Sequence, residues 1–218
     1  MRFFIISVAI LTPCAMVAMA DAPQKAAKWD FEDATVGKLP KGWSAAKTGD
    51  GEGSVWKVVE DKTAPKGSKV LAQTAESPGS LFNLCVADDT AFKDVELSVS
   101  FKAVKGKIDQ GGGLVWRYLD ANNYYVARMN PLEDNFRLFK VVNGKRSQIA
   151  SKDGLEIPAG TWHTMSVTMK GDQIECALDG KKYLEARDGT FTKSGWVGLW
   201  TKADAQTFFD DLRAAETK

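Results

Sequence analysis

The sequence has little of what metal sites, redox sites and nucleic-acid-binding surfaces need. It contains one histidine and three cysteines among 218 residues. Its 29 Lys and Arg are matched by 28 Asp and Glu, so there is no surplus of positive charge. Nucleic-acid binders need that surplus to contact phosphates, and they are excluded as a general class. With a single histidine, a zinc site built from histidines is not expected either.

Long apolar runs are scarce, and the clearest one lies at the N-terminus. Residues 3–11 are apolar except for Ser7 and follow the lone charge of Arg2, and Ala18-Met19-Ala20 fits the cleavage pattern of exported proteins. We therefore predict a signal peptide over residues 1–20, cleaved after Ala20, and a periplasmic or secreted protein. Without Arg2 the acidic and basic residues are equal in number, 28 of each.

Two other interpretations of this run stay open. One is a membrane anchor, although a spanning helix needs about 20 apolar residues and Pro13 interrupts the run. The other is lipid attachment at Cys14, although Pro13 stands where a small residue is required. No later run is long and apolar enough to cross a bilayer, so no membrane span is expected there.

Cys85 and Cys176 are the two cysteines beyond the N-terminal segment. An oxidising compartment permits a disulfide between them, provided that their Cα atoms come within about 7 Å. Cys176 lies on the apolar face of a predicted strand, which is also typical of a small buried hydrophobic residue. Both alternatives stay open.

A convincing helical period is missing after the N-terminal segment, whereas apolar and polar residues alternate repeatedly. This alternation, with turn signals such as Asn143-Gly144 and Asp179-Gly180, predicts an all-β protein. We expect a two-sheet antiparallel β-sandwich in a single domain over residues 28–218, preceded by a flexible lead-in at 21–27. The predicted strands cover residues 29–31, 55–59, 69–72, 81–86, 95–103, 113–119, 124–130, 136–142, 145–150, 164–169, 174–178, 196–200 and 207–212.

Four segments carry a family resemblance. They are FEDATVGKLPKGW at 31–43, GLVWRYLDANNYYVAR at 113–128, GTWHT at 160–164 with LDG at 178–180, and GLWTKAD at 198–204 with FDDL at 209–212. Together they resemble the concanavalin A-like lectin/glucanase superfamily, in its laminin-G-like branch of exported bacterial domains. The resemblance implies a jelly roll whose concave sheet often holds sugars, and its relatives include enzymes acting on 3-keto-glycosides. One fold hosts many activities, so function needs its own argument.

The catalytic motifs of two related enzyme groups are missing. The Glu-x-Asp-x-x-Glu strand of family-16-type glucanases does not occur, nor does the Gln-Ile-His of alginate-lyase relatives. His163 follows Trp162 and has no partner motif, which favours a structural role. No cofactor is expected. Calcium at Asp88-Asp89 or at Glu133-Asp134-Asn135 is an alternative without a recognisable loop signature.

Hairpin lengths allow the cross-strand partners within residues 111–150 to be predicted. We assume four-residue loops at 120–123 and 131–134, and the two-residue turn Asn143-Gly144. Asp109-Gln110, which precedes the three glycines at 111–113, is expected to form a loop at the rim. The expected partners are Arg128 with Val115, Arg128 with Arg137, and Phe139 with Gln148.

Side chains along a strand alternate between faces, so these partners assign each residue to a face. The apolar core face is predicted to hold Leu114, Trp116, Tyr125, Ala127, Met129, Phe136, Leu138 and Ile149. The other face is polar and aromatic, and it also holds Val126 and Phe139. Trp200 and Lys202, near the C-terminus, share a parity and are expected to join this face. The candidate ligand-binding residues are Arg117, Tyr124, Arg128, Asn130, Arg137, Gln148, Trp200 and Lys202.

Arg128 opposite Arg137 is unfavourable without a counter-charge. The counter-charge is either a carboxylate of the chain, such as Glu133 or Asp134, or an acidic or polyhydroxylated ligand. A solvated sheet face with no ligand is also common.

Three functions follow from these alternatives. The first is an exported carbohydrate-binding domain whose partner is a glycan, acidic glycans included. The second is a glycoside-acting hydrolase or lyase of the 3-keto-glycoside type, in which Arg128 and Arg137 stabilise an anionic transition state and Tyr124 assists proton transfer. The third is a structural or protein-binding sandwich. A carboxylate or tyrosine bonded to the arginines and open to a cleft would discriminate between the first two. A flat, fully ion-paired face would reject both and favour the third.

Overall fold

The computed structural model describes residues 25–217, and over this range it confirms the all-β, two-sheet antiparallel sandwich. No helix occurs in these residues, and hence none that is long and apolar enough to cross a membrane. The predicted signal peptide, its cleavage site and Cys14 lie outside the described residues.

Eight strands form the larger sheet, in the order β13-β12-β11-β6-β15-β4-β3, with β1 paired to β15. Every pairing between these strands is antiparallel. The strands of this sheet are β1 (Ala26–Trp29), β3 (Trp56–Glu60), β4 (Lys69–Gln73), β6 (Val95–Lys105), β11 (His163–Lys170), β12 (Gln173–Leu178), β13 (Lys181–Arg187) and β15 (Gln206–Ala215).

Seven strands form the second sheet, in the order β10-β9-β8-β7-β14-β5-β2, again antiparallel throughout. They are β2 (Trp43–Thr48), β5 (Phe82–Ala87), β7 (Gly112–Asp120), β8 (Asn123–Asn130), β9 (Asn135–Val142), β10 (Lys145–Asp153) and β14 (Trp196–Lys202). The face of this sheet that is turned away from the other sheet is called the outer face below.

The main core fills the space between the sheets, and period-two alternation puts it there. In β6, Val95, Leu97, Val99 and Phe101 are buried while the residues between them are partly or fully exposed. The predicted core face is confirmed, because seven of its residues lie in this core and Ile149 packs against it.

The two turn dipeptides behave as their sequences indicate. Asn143 and Gly144 have φ values of 51° and 76°, and Asp179 and Gly180 have 48° and 77°. Positive φ at both central residues is the condition for the tight hairpin turn whose twist matches the flanking strands. These turns join β9 to β10 and β12 to β13.

Several sequence predictions need correction. β2 and β13 were not predicted, because their short polar segments lack clear alternation. The first strand begins at Ala26, where it pairs with Ala215, so the expected lead-in at 21–27 extends two residues too far. Cys85 and Cys176 are both buried as free thiols, on β5 and β12 in different sheets. Of the two alternatives for the cysteines, the small buried residue is the one observed.

The register of β7 against β8 differs from the prediction by two residues. Arg128 lies opposite Gly113 rather than Val115, because the pairing shifts between Trp116 and Asp120. Between Trp116 and Asp120, β7 has two residues more than the facing segment of β8. Arg117 lies in this irregular segment and has a φ of 45°. A two-residue displacement preserves the parity of the strand, so the face assignment of Leu114 and its neighbours is unaffected.

Gly113 permits the close pairing of β7 and β8, and its replacement provides a test of that pairing. A Cβ at this position would lie 1.7 Å from the carbonyl oxygen of Ala127, which is backbone and cannot move aside. We expect Gly113→Ala to lower the free energy of unfolding by about 1–3 kcal/mol, measured by urea denaturation. Gly189→Ala is the control, because its nearest neighbouring atom would be 4.0 Å from the new Cβ. Equal stability of the two variants would contradict the assigned pairing.

Candidate functional site

The remaining predicted registers of the arginine strands are confirmed. Arg128 on β8 lies opposite Arg137 on β9, and Phe139 lies opposite Gln148 on β10. The four-residue loop at 131–134 between β8 and β9 is also as predicted. These registers bring Arg128, Arg137 and Gln148 to the same side of the seven-stranded sheet.

Arg117 does not join this group, and its placement on the same face is wrong. Its Nε donates to the carbonyl oxygen of Lys93 at 2.8 Å, and Nη2 donates to that of Gly171 at 2.8 Å and to Asp94 Oδ1 at 3.2 Å. Nη1 donates to the carbonyl oxygen of Phe191. The irregular backbone at Arg117 turns its buried guanidinium towards these loops, so it holds loops together and is not available to a ligand.

The outer face is not an open platform, because it carries a second apolar cluster of its own. The sheet curves so strongly that Arg146 on one edge strand lies 5.0 Å from the ring of Phe82 on β5, across the face. The face is therefore concave, and its centre is filled by side chains. The cluster consists of Phe82, Leu84, Val115, Tyr124, Val126, Phe139, Val141 and Trp200.

Two of the predicted ligand-binding residues lie within this second cluster. Tyr124 and Trp200 are on the predicted face but are 0% exposed, so their rings offer no surface to a sugar. The Tyr124 hydroxyl is 2.8 Å from Thr48 Oγ1, and burial raises the pKa of this tyrosine above its usual range. A role for Tyr124 in proton transfer, or for Trp200 as a stacking platform, is thus excluded in this conformation.

Below the surface, Arg128 is the centre of a buried polar network. Its side chain is 2% exposed, and Nη1 donates to Asn135 Oδ1 at 2.7 Å. Nη2 donates to Asp109 Oδ2 and to Glu133 Oε2, each at 3.1 Å. Asn130 Nδ2 completes the network by donating to Asp109 Oδ1 at 3.2 Å. Asp109, Arg128, Asn130 and Asn135 are called the basal network below.

Asp109 reaches the network because a second carboxylate holds its loop. Asp204 accepts hydrogen bonds from the backbone N–H groups of Lys107, Ile108 and Asp109 at 2.7–3.0 Å. Burial raises the pKa of Asp204, but these three bonds outweigh burial and leave it below its ordinary value. The loop at residues 107–109 is therefore fixed, and the sequence offered no signal for Asp204 because its partners are backbone groups.

Above the basal network lies a charged group that solvent reaches. Glu133, Arg137 and Lys202 have side chains that are 38%, 31% and 20% exposed. Lys202 Nζ is 3.3 Å from Asp109 Oδ2, and Arg137 Nη1 is 3.8 Å from Glu133 Oε2. We call Glu133, Arg137, Arg146 and Lys202 the polar rim.

Glu133 supplies the counter-charge that the facing arginines require, as one of the sequence alternatives proposed. Its Oε2 receives bonds from Arg128 and from Asn135 Nδ2, the latter at 3.1 Å. Burial raises the pKa of Glu133, but the neighbouring Arg128, Asn135 and Arg137 lower it below its ordinary value. All of these contacts use Oε2. Among residues 25–217 Oε1 has no partner, so it can accept a hydrogen bond from a ligand.

Arg146 was missed by the sequence analysis although the register already placed it. It shares a parity with Gln148 on β10 and lies opposite Val141. Its guanidinium carbon is 4.3 Å from the ring centroid of Phe139, 5.0 Å from that of Phe82 and 5.7 Å from that of Trp200. Gln148 itself is exposed beside it.

Residues outside this site have structural explanations. His163 Nδ1 lies 2.7 Å from Asp179 Oδ2, and its Nε2 lies 2.8 Å from Thr161 Oγ1, so it joins β11 to neighbouring turns. Residues 25–217 contain no group of three or more His, Cys, Asp or Glu able to hold a metal ion.

A groove of about 640 Å³ lies on the eight-stranded sheet, whereas Arg128 and Arg137 lie on the seven-stranded one, and it is lined mainly by Ala, Ser and Thr. The cations beside this groove, Lys28 and Arg213, pair with Asp211 at 3.8 and 3.0 Å. Because both cations of this groove are paired within the protein, we place the candidate site at the polar rim.

The fold and the curved face define a jelly-roll sandwich. The sequence profile of the 3-keto-alpha-glucoside-1,2-lyase-like domain matches residues 30–214, and the chain belongs to that family. No curated protein is significantly similar to the chain in sequence.

Solved structures confirm the fold. The carbohydrate-binding module CBM66 from Bacillus subtilis superposes with a TM-score of 0.63 and 19% identity, over 79% of this chain and 94% of that chain. A beta-glucanase from Bacillus licheniformis gives 0.60 and 13% identity over 88% and 98%. The GH43 protein BlXynB from the same species gives 0.59 and 16% identity, over 87% of this chain and 39% of that chain. At these identities the likeness concerns the fold alone.

Burial separates the structural arginine from the accessible one, and unfolding experiments can measure the difference. Arg128→Met leaves Asp109 buried beside only Asn130 and Lys202, so we expect a loss of about 3–5 kcal/mol in the free energy of unfolding. Arg137→Met removes a partly exposed arginine and should cost about 1 kcal/mol or less. Urea denaturation of both variants tests this. Comparable losses in the two variants would contradict the larger contribution of Arg128 to stability.

Proposed function

We propose that the protein binds a glycan at the polar rim, and that this is its primary activity. The proposal is supported by the placement of Glu133, a partly exposed carboxylate that is held through one oxygen and free at the other. Sugars present many hydroxyl groups, and charged hydrogen bonds to them are shorter and stronger than neutral ones. Arg137 lies beside Glu133 and Lys202 beside Asp109, so the rim offers donors as well as an acceptor.

The lowered pKa of Glu133 favours binding over general base catalysis. A base that removes a proton near neutral pH works best when its pKa is near that pH. Glu133 is shifted the other way by its cationic neighbours. Such a carboxylate stays ionised and accepts hydrogen bonds, which suits recognition. An acidic sugar is the ligand that the cations of the rim favour.

A glycan array with the protein, including uronate-containing sugars, tests the proposal. We expect specific binding that Arg137→Gln weakens about tenfold or more, since hydrogen bonds to charged groups contribute about 1.5–3 kcal/mol. The control is Arg187→Gln on β13, an exposed arginine that pairs with Asp172 at 2.9 Å on the other sheet. A folded protein that binds no glycan would overturn the proposal and favour the structural or protein-binding alternative.

The family match supports a second candidate, elimination from a 3-keto-glucoside. In that reaction a base removes the C2 proton, which the C3 ketone acidifies. The electron pair forms the C1–C2 double bond while the bond from C1 to the glycosidic oxygen breaks, and the departing alcohol takes up a proton. Glu133 is the accessible carboxylate for the first step, and Arg137 and Lys202 could stabilise the enolate charge.

A pH titration tests the binding role of Glu133, and an assay for elimination separates the two candidates. Glycan binding through ionised Glu133 should be constant from about pH 8 down to about pH 5, and should weaken only as the pH falls below the ordinary carboxylate range. Binding is lost at low pH because protonation of Glu133 removes its acceptor oxygen. The pKa of Glu133 is lowered, so this protonation occurs only below the ordinary carboxylate range. Incubation with a 3-keto-disaccharide, followed by NMR, reports elimination directly. Formation of the unsaturated keto sugar, slowed at least about a hundredfold by Glu133→Gln, would establish the lyase instead.

A further inference from the structure

Arg146 is the cation of the polar rim that has no carboxylate partner. Within the part of the chain that the structure describes, its guanidinium makes no hydrogen bond and no ion pair, although it is only partly exposed. Nη1 is buried and has no partner in these residues, whereas Nε and Nη2 are open to solvent. A guanidinium in this state retains its capacity to bind an anion through two parallel hydrogen bonds.

The charges around Arg146 do not compensate for it. The groups that act on it electrostatically are Arg128, which lowers its pKa, and Asp109, Glu133 and Tyr124, which raise it. Burial is the largest influence, and the net effect is a lowered pKa. Both carboxylates are already bound by other cations, Asp109 by Arg128 and Lys202, and Glu133 by Arg128.

A count of the formal charges gives the same result. Four cations share three carboxylates. One of these carboxylates, Asp153, is largely exposed. The cations are Arg128, Arg137, Arg146 and Lys202, and the carboxylates are Asp109, Glu133 and Asp153. One positive charge is left over, and it is carried by Arg146.

Three aromatic rings fix the position of this charge. The guanidinium of Arg146 lies over Phe139, Phe82 and Trp200, which hold it by cation–π attraction and prevent it from swinging into solvent. Less side-chain freedom is lost when a ligand binds such a preorganised group. The rings also exclude water on one side, which strengthens the attraction for an anion.

We infer that Arg146 is the carboxylate-binding residue of the site and that the glycan is a uronic acid or another carboxylated sugar. This inference rests on the proposed function, since it assumes a sugar at the polar rim. The sugar carboxylate pairs with Arg146, while its hydroxyl groups bond to Glu133 and Arg137. The occupied rim then has a balanced charge, which the unoccupied rim lacks.

The test compares one oligosaccharide in two forms. An oligoglucuronide and the same oligomer with its carboxyl groups reduced to alcohols are titrated by calorimetry against the protein. We expect the acidic form to bind about tenfold or more tightly than the reduced form, because charged hydrogen bonds to a carboxylate are at stake. In Arg146→Gln this preference should disappear, so that the acidic and reduced forms bind with similar affinity.

Two further variants keep the result interpretable. Arg146→Lys retains the charge without the planar fork and should show an intermediate preference. It also covers the case in which Arg146→Gln disturbs the aromatic cluster and fails to fold. Arg187→Gln is again the control for a general loss of positive charge.

The outcomes separate this inference from the function on which it rests. Equal binding of the acidic and reduced forms, or an unchanged preference in Arg146→Gln, overturns the role of Arg146 while leaving glycan binding intact. Failure of the protein to bind either form, together with a negative glycan array, overturns the proposed function itself. A preference lost equally in Arg187→Gln shows only non-specific charge attraction and also overturns the role of Arg146.

Discussion

A guanidinium almost fully removed from water must be paired and hydrogen-bonded, and Arg128 imposes this requirement on one end of the seven-stranded sheet. Breaking a buried ion pair leaves an uncompensated charge at a cost of about 3–5 kcal/mol, a large part of the stability of a domain. Asp109 meets the requirement only because Asp204 holds its loop by three backbone hydrogen bonds. Glu133 meets it from the turn between β8 and β9. The loops of this region are arranged around one buried charge.

Period-two alternation and turn residues sufficed to predict the sandwich, its core face and two of the three registers, because these are local properties of the sequence. The facing pair Arg128 and Arg137 followed from the length of one loop. Arg117 was misplaced because a bulge depends on backbone conformation that alternation does not report. The burial of Trp200 was missed for another reason: sheet curvature brings distant strands together, and no short segment encodes it.

The division between buried and accessible charge also determines which function the site supports. Tyr124 and Trp200, which were predicted to bind a sugar, fill the concavity instead. The proposed glycan binding therefore rests on Glu133, Arg137, Arg146 and Lys202. Their arrangement contains a carboxylate kept ionised by its neighbours and a guanidinium without a counter-ion. Membership of the 3-keto-alpha-glucoside-1,2-lyase-like family gives these charges a carbohydrate context. It does not specify which of them meets the sugar.

Cys85 and Cys176 lie in different sheets as free, fully buried thiols. Burial raises the pKa of both far above neutrality, so the reactive thiolate form is absent. The sandwich consequently holds together without a covalent cross-link between its sheets. Within residues 25–217 a reducing agent therefore finds no disulfide to break, and this part of the chain should have the same free energy of unfolding with and without it.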